Sequence, residues 1–182
     1  MSCNQSLTGI SKDCAPNMGG IRKLLLNLAS AIASVTVDGT SKKISAITLV
    51  EDNGDPVSKF KAFAIPKGAC SLAHSLTADP ANGTNFVTNT LAILVNRMDT
   101  EKRVAISAAA VSECVAIVVD NNGKAWYLGK DEPLTANGGD SGTGAAKTDR
   151  NGYGLNLTNE EESYPYEIDL AQVDIDDDDF VD

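Results

Sequence analysis

The sequence FVTNTLAILVNRMDTEKRVAISAAAVSECVAIVVDNNGKAWYLG, residues 86–129, decides the predicted fold. In its first ten residues Phe86 and Thr88 lie on one side of an extended chain and Val87 and Asn89 on the other, which indicates a strand in a sheet. From residue 100 to about residue 115 the period becomes helical, because apolar residues recur at helical spacing with charged residues between them. We therefore predict one amphipathic helix whose core face consists of Val104, Ala108, Val111 and Val115.

The same stretch ends in a predicted β-hairpin. Residues 116–120 form a short β-branched strand, and residues 125–128 return alongside it. Asn122 and Gly123 lie between them, and this pair tolerates the positive φ angles that a tight hairpin turn requires. The stretch thus predicts a β-rich domain with one helix, and this core offers no catalytic group.

Further strands are predicted on both sides of this stretch. The first is apolar on both faces, and the residues after it, 29–34, either continue it or form a short helical linker. The last two should pair as a hairpin, with Pro165 favouring an edge position. These strands are residues 21–28, 43–50, 60–65, 70–78, 151–158 and 164–169.

The predicted fold class is mainly β, a sandwich or barrel of antiparallel strands with one helix at about residues 100–115. A chain of 182 residues is long enough for one domain with a real core, which we place at residues 20–170. A flexible N-terminal arm, residues 1–19, precedes it, and an acidic tail, residues 171–182, follows it.

The chain is acidic, since 15 Lys and Arg against 25 Asp and Glu give a net charge of −10. Such a charge repels phosphate backbones, so no general affinity for nucleic acid is expected. No segment approaches the ~18 consecutive apolar residues that span a bilayer, and the first residues lack a signal-peptide pattern. We therefore expect a soluble chain without a membrane partner.

Cysteine usage indicates no metal site. Cys3, Cys14, Cys70 and Cys114 are far apart in the sequence, and His74 is the one histidine that would join them. Cys114 on the helix and Cys70 in a strand are expected to be buried thiols that act as small hydrophobes. Cys3 and Cys14 flank a small loop and would pair in an oxidising setting, whereas reduced cysteines are the default in a cytoplasmically made protein.

A glycine-rich segment, residues 130–147, follows the predicted hairpin. It lacks the Gly-Lys-Ser/Thr ending and the strand-to-helix context of a phosphate-binding loop, so it is predicted to be a mobile connection. Ordering its glycines costs about 1–2 kcal/mol of backbone entropy per residue, and no apolar run compensates, so a neighbouring subunit is expected to order it. This predicted assembly arm consists of Gly138, Gly139, Asp140, Ser141, Gly142, Thr143 and Gly144.

No catalytic, cofactor-binding or metal-ligating residue is nominated. His74 lies inside an alternating strand, where a histidine with ordinary hydrogen bonds is expected, and neither Ser71 nor Ser75 has a nucleophile-elbow context. The carboxylates cluster in turns and in the tail. Asp174 and residues 176–179 lack the Gly and distal Glu of a calcium loop, so the tail is interpreted as solvated or docking. We expect a non-enzymatic protein without cofactors.

The order of several short motifs resembles small virion structural proteins of tailed bacteriophages of gut anaerobes. Within that group, a β-sandwich with one helix and a glycine-rich segment before an Asn-Gly-Tyr strand is similar to phage tail tube proteins. The likeness spans most of the chain. The motifs are Cys3, Asp13-Cys14, Gly19-Gly20-Ile21, Asn82-Gly-Thr-Asn85, Arg103, Asp120-Asn-Asn-Gly-Lys-Ala-Trp-Tyr-Leu-Gly129, Ser141-Gly-Thr-Gly144 and Asp149-Arg-Asn-Gly-Tyr-Gly-Leu-Asn-Leu157.

This resemblance implies a subunit that forms stacked hexameric rings, with a fold shared with the tubes of contractile injection systems. It implies a virion location after assembly in the host cytoplasm, with copies of itself and other tail proteins as partners. DNA would pass through the tube without specific binding. Two alternatives remain: another virion part, such as a capsid decoration, neck or collar protein, and a carbohydrate-binding or adhesin module with stacking faces from Trp126, Tyr127, Tyr153, Tyr164 and Tyr166.

Overall fold

The structure is a computed structural model that describes residues 9–12, 14–173 and 175–176. Within these residues a 3-10 turn at Ala29–Ala31 follows the first strand, and a second at Leu170–Gln172 follows the last. The other elements in chain order are β1 (Ile21–Leu28), β2 (Ile32–Val37), β3 (Ile44–Leu49), β4 (Glu51–Asp52), β5 (Asp55–Pro56), β6 (Lys61–Phe63), β7 (Ser71–Asp79), β8 (Thr84–Asn96), α1 (Thr100–Val111), β9 (Cys114–Asp120), β10 (Ala125–Leu128), β11 (Thr135–Ala136), β12 (Gly152–Glu161) and β13 (Tyr166–Ile168).

Two large sheets build the fold, and β4 and β5 pair as a separate two-stranded sheet. The larger has seven strands in the order β2-β3-β13-β10-β9-β1-β6, and the smaller has four in the order β11-β12-β8-β7. The neighbours pair antiparallel except β13 and β3, which meet in parallel at Ile168 and Ile44. The mainly β, antiparallel sandwich with one helix is therefore confirmed.

The main core lies between the two sheets. Leu24 and Val118 of the seven-stranded sheet pack in one cluster with Leu91, Ile93 and Leu157 of the four-stranded sheet. Alternation in β8 explains this placement, because Val87, Asn89, Leu91, Ile93 and Val95 are buried while the residues between them are half-buried. The four-stranded sheet therefore has one face in the core and one face turned outward.

The central strands β1 and β9 of the seven-stranded sheet are largely buried on both faces. Residues 114–119 of β9 are all buried, and alternate members contribute to two different clusters. The second cluster joins Leu25, Ile117 and Tyr127 to Leu49 and Ile168 of the same sheet, so the second face of this sheet has a hydrophobic cluster of its own. Burial on both faces is why β1 and β9 consist of nearly continuous apolar residues.

The predicted core face of the helix is wrong. Helix α1 begins at the N-cap Asp99, whose side chain accepts a hydrogen bond from the backbone N–H of Lys102, and it ends at Val111. Val104 is 56% exposed, Val111 is 88% exposed, and Ala108 is exposed as well. Val115 is buried but belongs to β9, because the backbone is already extended at Ser112.

Ile106 and Ala109 form the buried face of α1 instead. At about 100° per residue they lie on nearly the opposite side of the helix from Val104 and Val111. Apolar residues occur on both sides of this alanine-rich helix, so hydrophobic spacing alone selected the wrong face. The same early helix end places Cys114 in β9 rather than on the helix.

The predicted hairpin of the last two strands is also wrong. β12 pairs with β8 and β11 in the smaller sheet, whereas β13 pairs with β10 in the larger one. The chain therefore crosses from one sheet to the other between Glu161 and Tyr166. Since β13 lies between β10 and β3, the edge position expected from Pro165 is not found either.

The predictions for the cysteines and for the two ends of the chain have different outcomes. Cys70 and Cys114 are buried, as predicted, and burial raises the pKa of both thiols. Cys3 and residues 177–179 of the acidic tail lie outside the described residues. The division into arm, domain and tail stays a prediction, and the first strand begins at Ile21.

Candidate assembly surfaces

The most distinctive surface is the edge strand β7. Among the residues that the structure describes, it pairs with β8 on one side only, through nine consecutive residue pairs without a register shift. Its sequence, SLAHSLTAD, contains no Lys, Arg or Pro, and all residues from Ala73 to Ala78 are exposed. Leu76, an apolar side chain, is 52% exposed. A long regular edge with these properties is a template for pairing with another chain.

The other outer strands carry features that discourage pairing. β2 has two register shifts against β3, and such bulges twist an edge away from regular pairing. β6 is three residues long and stands among Lys59, Lys61 and Lys67. Strand β11, at the opposite end of the smaller sheet, has two residues. Among these outer strands of the two large sheets, β7 alone is both long and unprotected.

The glycine-rich segment extends the opposite edge of the four-stranded sheet. β11 pairs with β12 at Thr135 and Ala136, and backbone pairing continues where the N–H of Asn156 donates to the carbonyl of Gly138 at 2.9 Å. Gly142 and Gly152 exchange two backbone hydrogen bonds of 3.1 and 3.0 Å. The prediction of a mobile connection is therefore wrong, because partners within the same chain hold the segment.

Glycine is required where this segment meets β12. A Cβ on Gly139 would lie 2.2 Å from the carbonyl oxygen of Gly154, and one on Gly154 would lie 2.6 Å from the carbonyl oxygen of Asp140. Both distances are far below any real Cβ contact, so two backbones approach here because neither carries a side chain. The backbone entropy of glycine led us to expect that this segment is not ordered within one chain. In the structure these glycines instead allow two backbones to pack closely.

The outward face of the four-stranded sheet is almost uncharged. Cross-strand pairs place Ala73, Thr90, Thr158 and Thr135 in one row across all four strands. Ser, Thr, Ala and Asn residues fill the neighbouring rows, and the charged residues on this face are Glu160 and, at the turn, Asp79. A chain of net charge −10 thus presents a nearly neutral β-surface that runs between its two free edges.

A polar network beneath this face ties β7 to the sheet. Nδ1 of His74 lies 2.8 Å from Oδ1 of Asn89, which is fully buried. The amide nitrogen of Asn89 donates to Oδ1 of Asn159 at 3.0 Å and to Oε2 of Glu161 at 3.1 Å. Tyr164 contacts the His74 ring edge-on with centroids 6.0 Å apart. Ordinary hydrogen bonding of a strand histidine is thereby confirmed.

Glu161 anchors the inner end of this network. Its Oε1 accepts the backbone N–H of Gly129 at 3.0 Å and that of Lys130 at 2.8 Å, so the buried carboxylate has donors on both oxygens. Burial first, and the charge of Glu161 second, raise the pKa of Tyr127 well above its ordinary value. The network joins the two sheets through hydrogen bonds and fixes the strands behind the free edge.

Chemistry beyond packing is sparse in the part of the chain that the structure describes. No group of His, Cys, Asp and Glu residues there is arranged to hold a metal ion. No helix among these residues is both long and apolar enough to cross a bilayer. Of the five aromatic side chains considered for carbohydrate stacking, Tyr164 alone is more than half exposed, at 54%, while Trp126 donates its indole N–H to Asp120.

Comparison with known proteins yields no match to any family model, curated protein or solved structure.

Proposed function

We propose that this protein is a self-assembling structural subunit, and specifically a tail tube subunit of a tailed bacteriophage. In this proposal the four-stranded sheets of neighbouring subunits join edge to edge into rings, and the rings stack into a tube. The observation that carries the proposal is β7, whose nine residues offer an uninterrupted and unprotected edge.

The partner edge in this arrangement is the glycine-rich segment of the next subunit. It lies at the opposite end of the same four-stranded sheet, beyond β12, so pairing with β7 would continue one sheet from subunit to subunit. Such a contact joins two different surfaces, and a heterologous contact that closes by rotation generates a ring. The residues predicted as an assembly arm, 138–144, keep that role here as an ordered edge.

Charge and surface chemistry support the same proposal. A net charge of −10 opposes the adhesion of DNA, which a conduit must let pass. The near-neutral row that includes Thr90 and Thr158 lets sheets from several subunits lie close without repulsion between like charges. The proposal requires no catalytic group, cofactor or metal.

Two lysines introduced on β7 test the proposal. Ala73→Lys with Ser75→Lys places charges at exposed positions in the middle of the free edge, where lysine discourages pairing. The matched control is Ser107→Lys with Ala108→Lys, which makes the same change in net charge at exposed positions of α1. Light scattering and negative-stain electron microscopy at rising protein concentration provide the measurement.

We expect the parent chain and the α1 control to form rings or tubes, and the β7 variant to stay small with the thermal stability of the parent. If the β7 variant assembles to the same extent as the parent chain, the β7 edge has no role in assembly. A parent chain that stays monomeric at every concentration and salt would overturn the self-assembly proposal itself.

A further inference from the structure

The two ends of the four-stranded sheet carry opposite charge. Its strands are antiparallel, so the segments that connect them collect at two ends, one beyond Asn96 of β8 and the other before Thr84. If subunits join through β7 as proposed, the strands stand side by side around the ring, tilted to its axis, and the two ends face along that axis. The ends are then the surfaces that remain for stacking, and an inference about them rests on the proposed function.

The basic end lies beyond Asn96. Residues 66–70 lead into β7 there, residues 97–99 leave β8, and residues 143–151 lead into β12. These segments contain four cationic side chains against two aspartates, in a chain of net charge −10. One aspartate forms an ion pair with Lys102, and the other accepts two backbone N–H groups of its own loop. The cationic side chains, all exposed, are Lys67, Arg97, Lys147 and Arg150.

The acidic end lies where β8 begins. Residues 79–83 connect β7 to β8 there, residues 129–134 lead into β11, and residues 160–162 end β12. These segments contain six carboxylates against one lysine. One carboxylate pairs with the lysine, one lies in the buried polar network, and one accepts N–H groups of the turn. The other three, all exposed, are Glu132, Glu160 and Glu162.

The charges of the two ends are available to neighbouring molecules. Strand β8 has 13 residues, so at roughly 3.3 Å per residue about 40 Å separate the ends. This distance is several times the Debye length of roughly 8 Å at physiological salt, so neither end neutralises the other within one subunit. Within the described part of the chain, the exposed cations of the basic end and the exposed glutamates of the acidic end form no ion pair.

We propose that rings stack head to tail, with the acidic end of each subunit on the basic end of a subunit in the next ring. The partner is a second copy of this chain, because one molecule carries both halves of the contact. A contact between two different surfaces that repeats along an axis produces an open stack, which is the symmetry of a tube. Charge complementarity also sets the polarity of the stack, because two like ends repel each other.

The test reverses the charge of each end separately. Lys67→Glu with Arg97→Glu changes the basic end from four cations against two carboxylates to two against four. Neither side chain forms a hydrogen bond or ion pair with another described residue, so the fold should not depend on them. Glu132→Lys with Glu160→Lys and Glu162→Lys changes the acidic end from six carboxylates against one lysine to three against four.

The matched control for the basic-end variant is Arg22→Glu with Lys59→Glu. It replaces one arginine and one lysine at exposed positions of β1 and of the segment before β6, away from both ends of the four-stranded sheet. Sedimentation velocity and negative-stain electron microscopy distinguish single rings from stacks. Both are applied to the parent, the control, each end variant alone, and an equal mixture of the two end variants.

We expect the parent and the control to form stacks, and each end variant alone to form rings with about tenfold fewer rings per stack or less stacking still. The mixture should stack again, because one variant carries acidic charge at both ends and the other carries basic charge at both ends. This recovery also shows that both end variants are folded. Raising the salt concentration should shorten the parent stacks by screening the exposed charges.

Two results would overturn the stacking inference and leave the ring proposal intact. One is an end variant that alone forms stacks as long as those of the parent, and the other is a mixture that forms rings but no stacks. Parent rings that never stack have the same consequence. A parent chain that forms no rings would overturn the proposed function and the stacking inference together.

Discussion

Replacing Gly139 with alanine tests directly whether the glycine-rich segment is held within one chain. The φ angle of Gly139 is 157°, and a Cβ there would lie 2.2 Å from the carbonyl oxygen of Gly154 and 2.8 Å from its carbonyl carbon. Both are backbone atoms in the middle of β12 and cannot rotate aside. The segment must therefore separate from β12 to make room for the methyl group.

The cost follows from the hydrogen bonds lost in that separation. Two join Gly142 and Gly152, and a third runs from the N–H of Asn156 to the carbonyl of Gly138. At about 0.5–1.5 kcal/mol for each bond, Gly139→Ala should lower the free energy of unfolding by roughly 2–4 kcal/mol. Urea denaturation measures this change, and amide exchange at Gly142 and Asn156 should accelerate.

Gly142→Ala is the matched control in the same segment. A Cβ on Gly142 meets no atom within 4 Å, so this variant should keep the stability of the parent and the slow exchange of Asn156. If Gly139→Ala unfolds at the same urea concentration as the parent and Asn156 stays protected, the segment does not lie against β12 as described.

Three further outcomes are expected. Val111→Asp should change stability by less than about 0.5 kcal/mol because the side chain is exposed, whereas Ile106→Asp should cost roughly 3 kcal/mol or more, as urea denaturation will show. Hydrogen bonds from the side chain and backbone of Lys102 lower the pKa of Asp99. The ionised Asp99 cap should therefore stabilise α1 at pH values above the ordinary Asp pKa, and this stabilisation should be lost as the pH falls through the lowered pKa. Thermal unfolding against pH should show this loss in the parent and not in Asp99→Asn. Asn89→Ala should destabilise the protein by roughly 2 kcal/mol or more in urea, because buried groups lose their partners.

Local sequence patterns predicted most of the strands correctly. Continuous apolar residues in β1 and β9 indicate strands buried on both faces, and the alternation in β8 indicates a strand buried on one face. Both patterns involve only neighbouring residues, so the sequence alone shows them. The hairpin turn after Asp120 is also predictable from neighbouring residues, because an Asn-Gly pair tolerates positive φ. In the structure Gly123 does have a positive φ.

The wrong predictions concern choices that neighbouring residues do not encode. Both sides of α1 are apolar, so the contact of Ile106 with the core is decided by sheets distant in the sequence. The crossing from β12 to β13 joins strands of different sheets, whereas a local pattern suggests a hairpin. Order at Gly139 arises from its approach to Gly154, fifteen residues away, which only the folded backbone reveals.

The surfaces were predicted less completely than the fold. The sequence predicts a strand at residues 70–78, but it does not show that this strand, β7, lies at the end of a sheet or that the glycine-rich segment lies at the other end. The network of His74, Asn89 and Glu161 was missed as well. A polar Asn at an inward position of an otherwise apolar alternating strand was the signal that could have found it.

Edge-to-edge assembly through β7 can be observed directly in a high-resolution electron cryomicroscopy reconstruction of the assembled full chain. If subunits join as proposed, the reconstruction will show rings in which the backbone of β7 is hydrogen-bonded to the glycine-rich edge of the next subunit, so that one sheet runs unbroken through the ring. Assemblies in which the backbone of β7 faces solvent, or a chain that forms no ordered assembly at any concentration, would contradict this proposal.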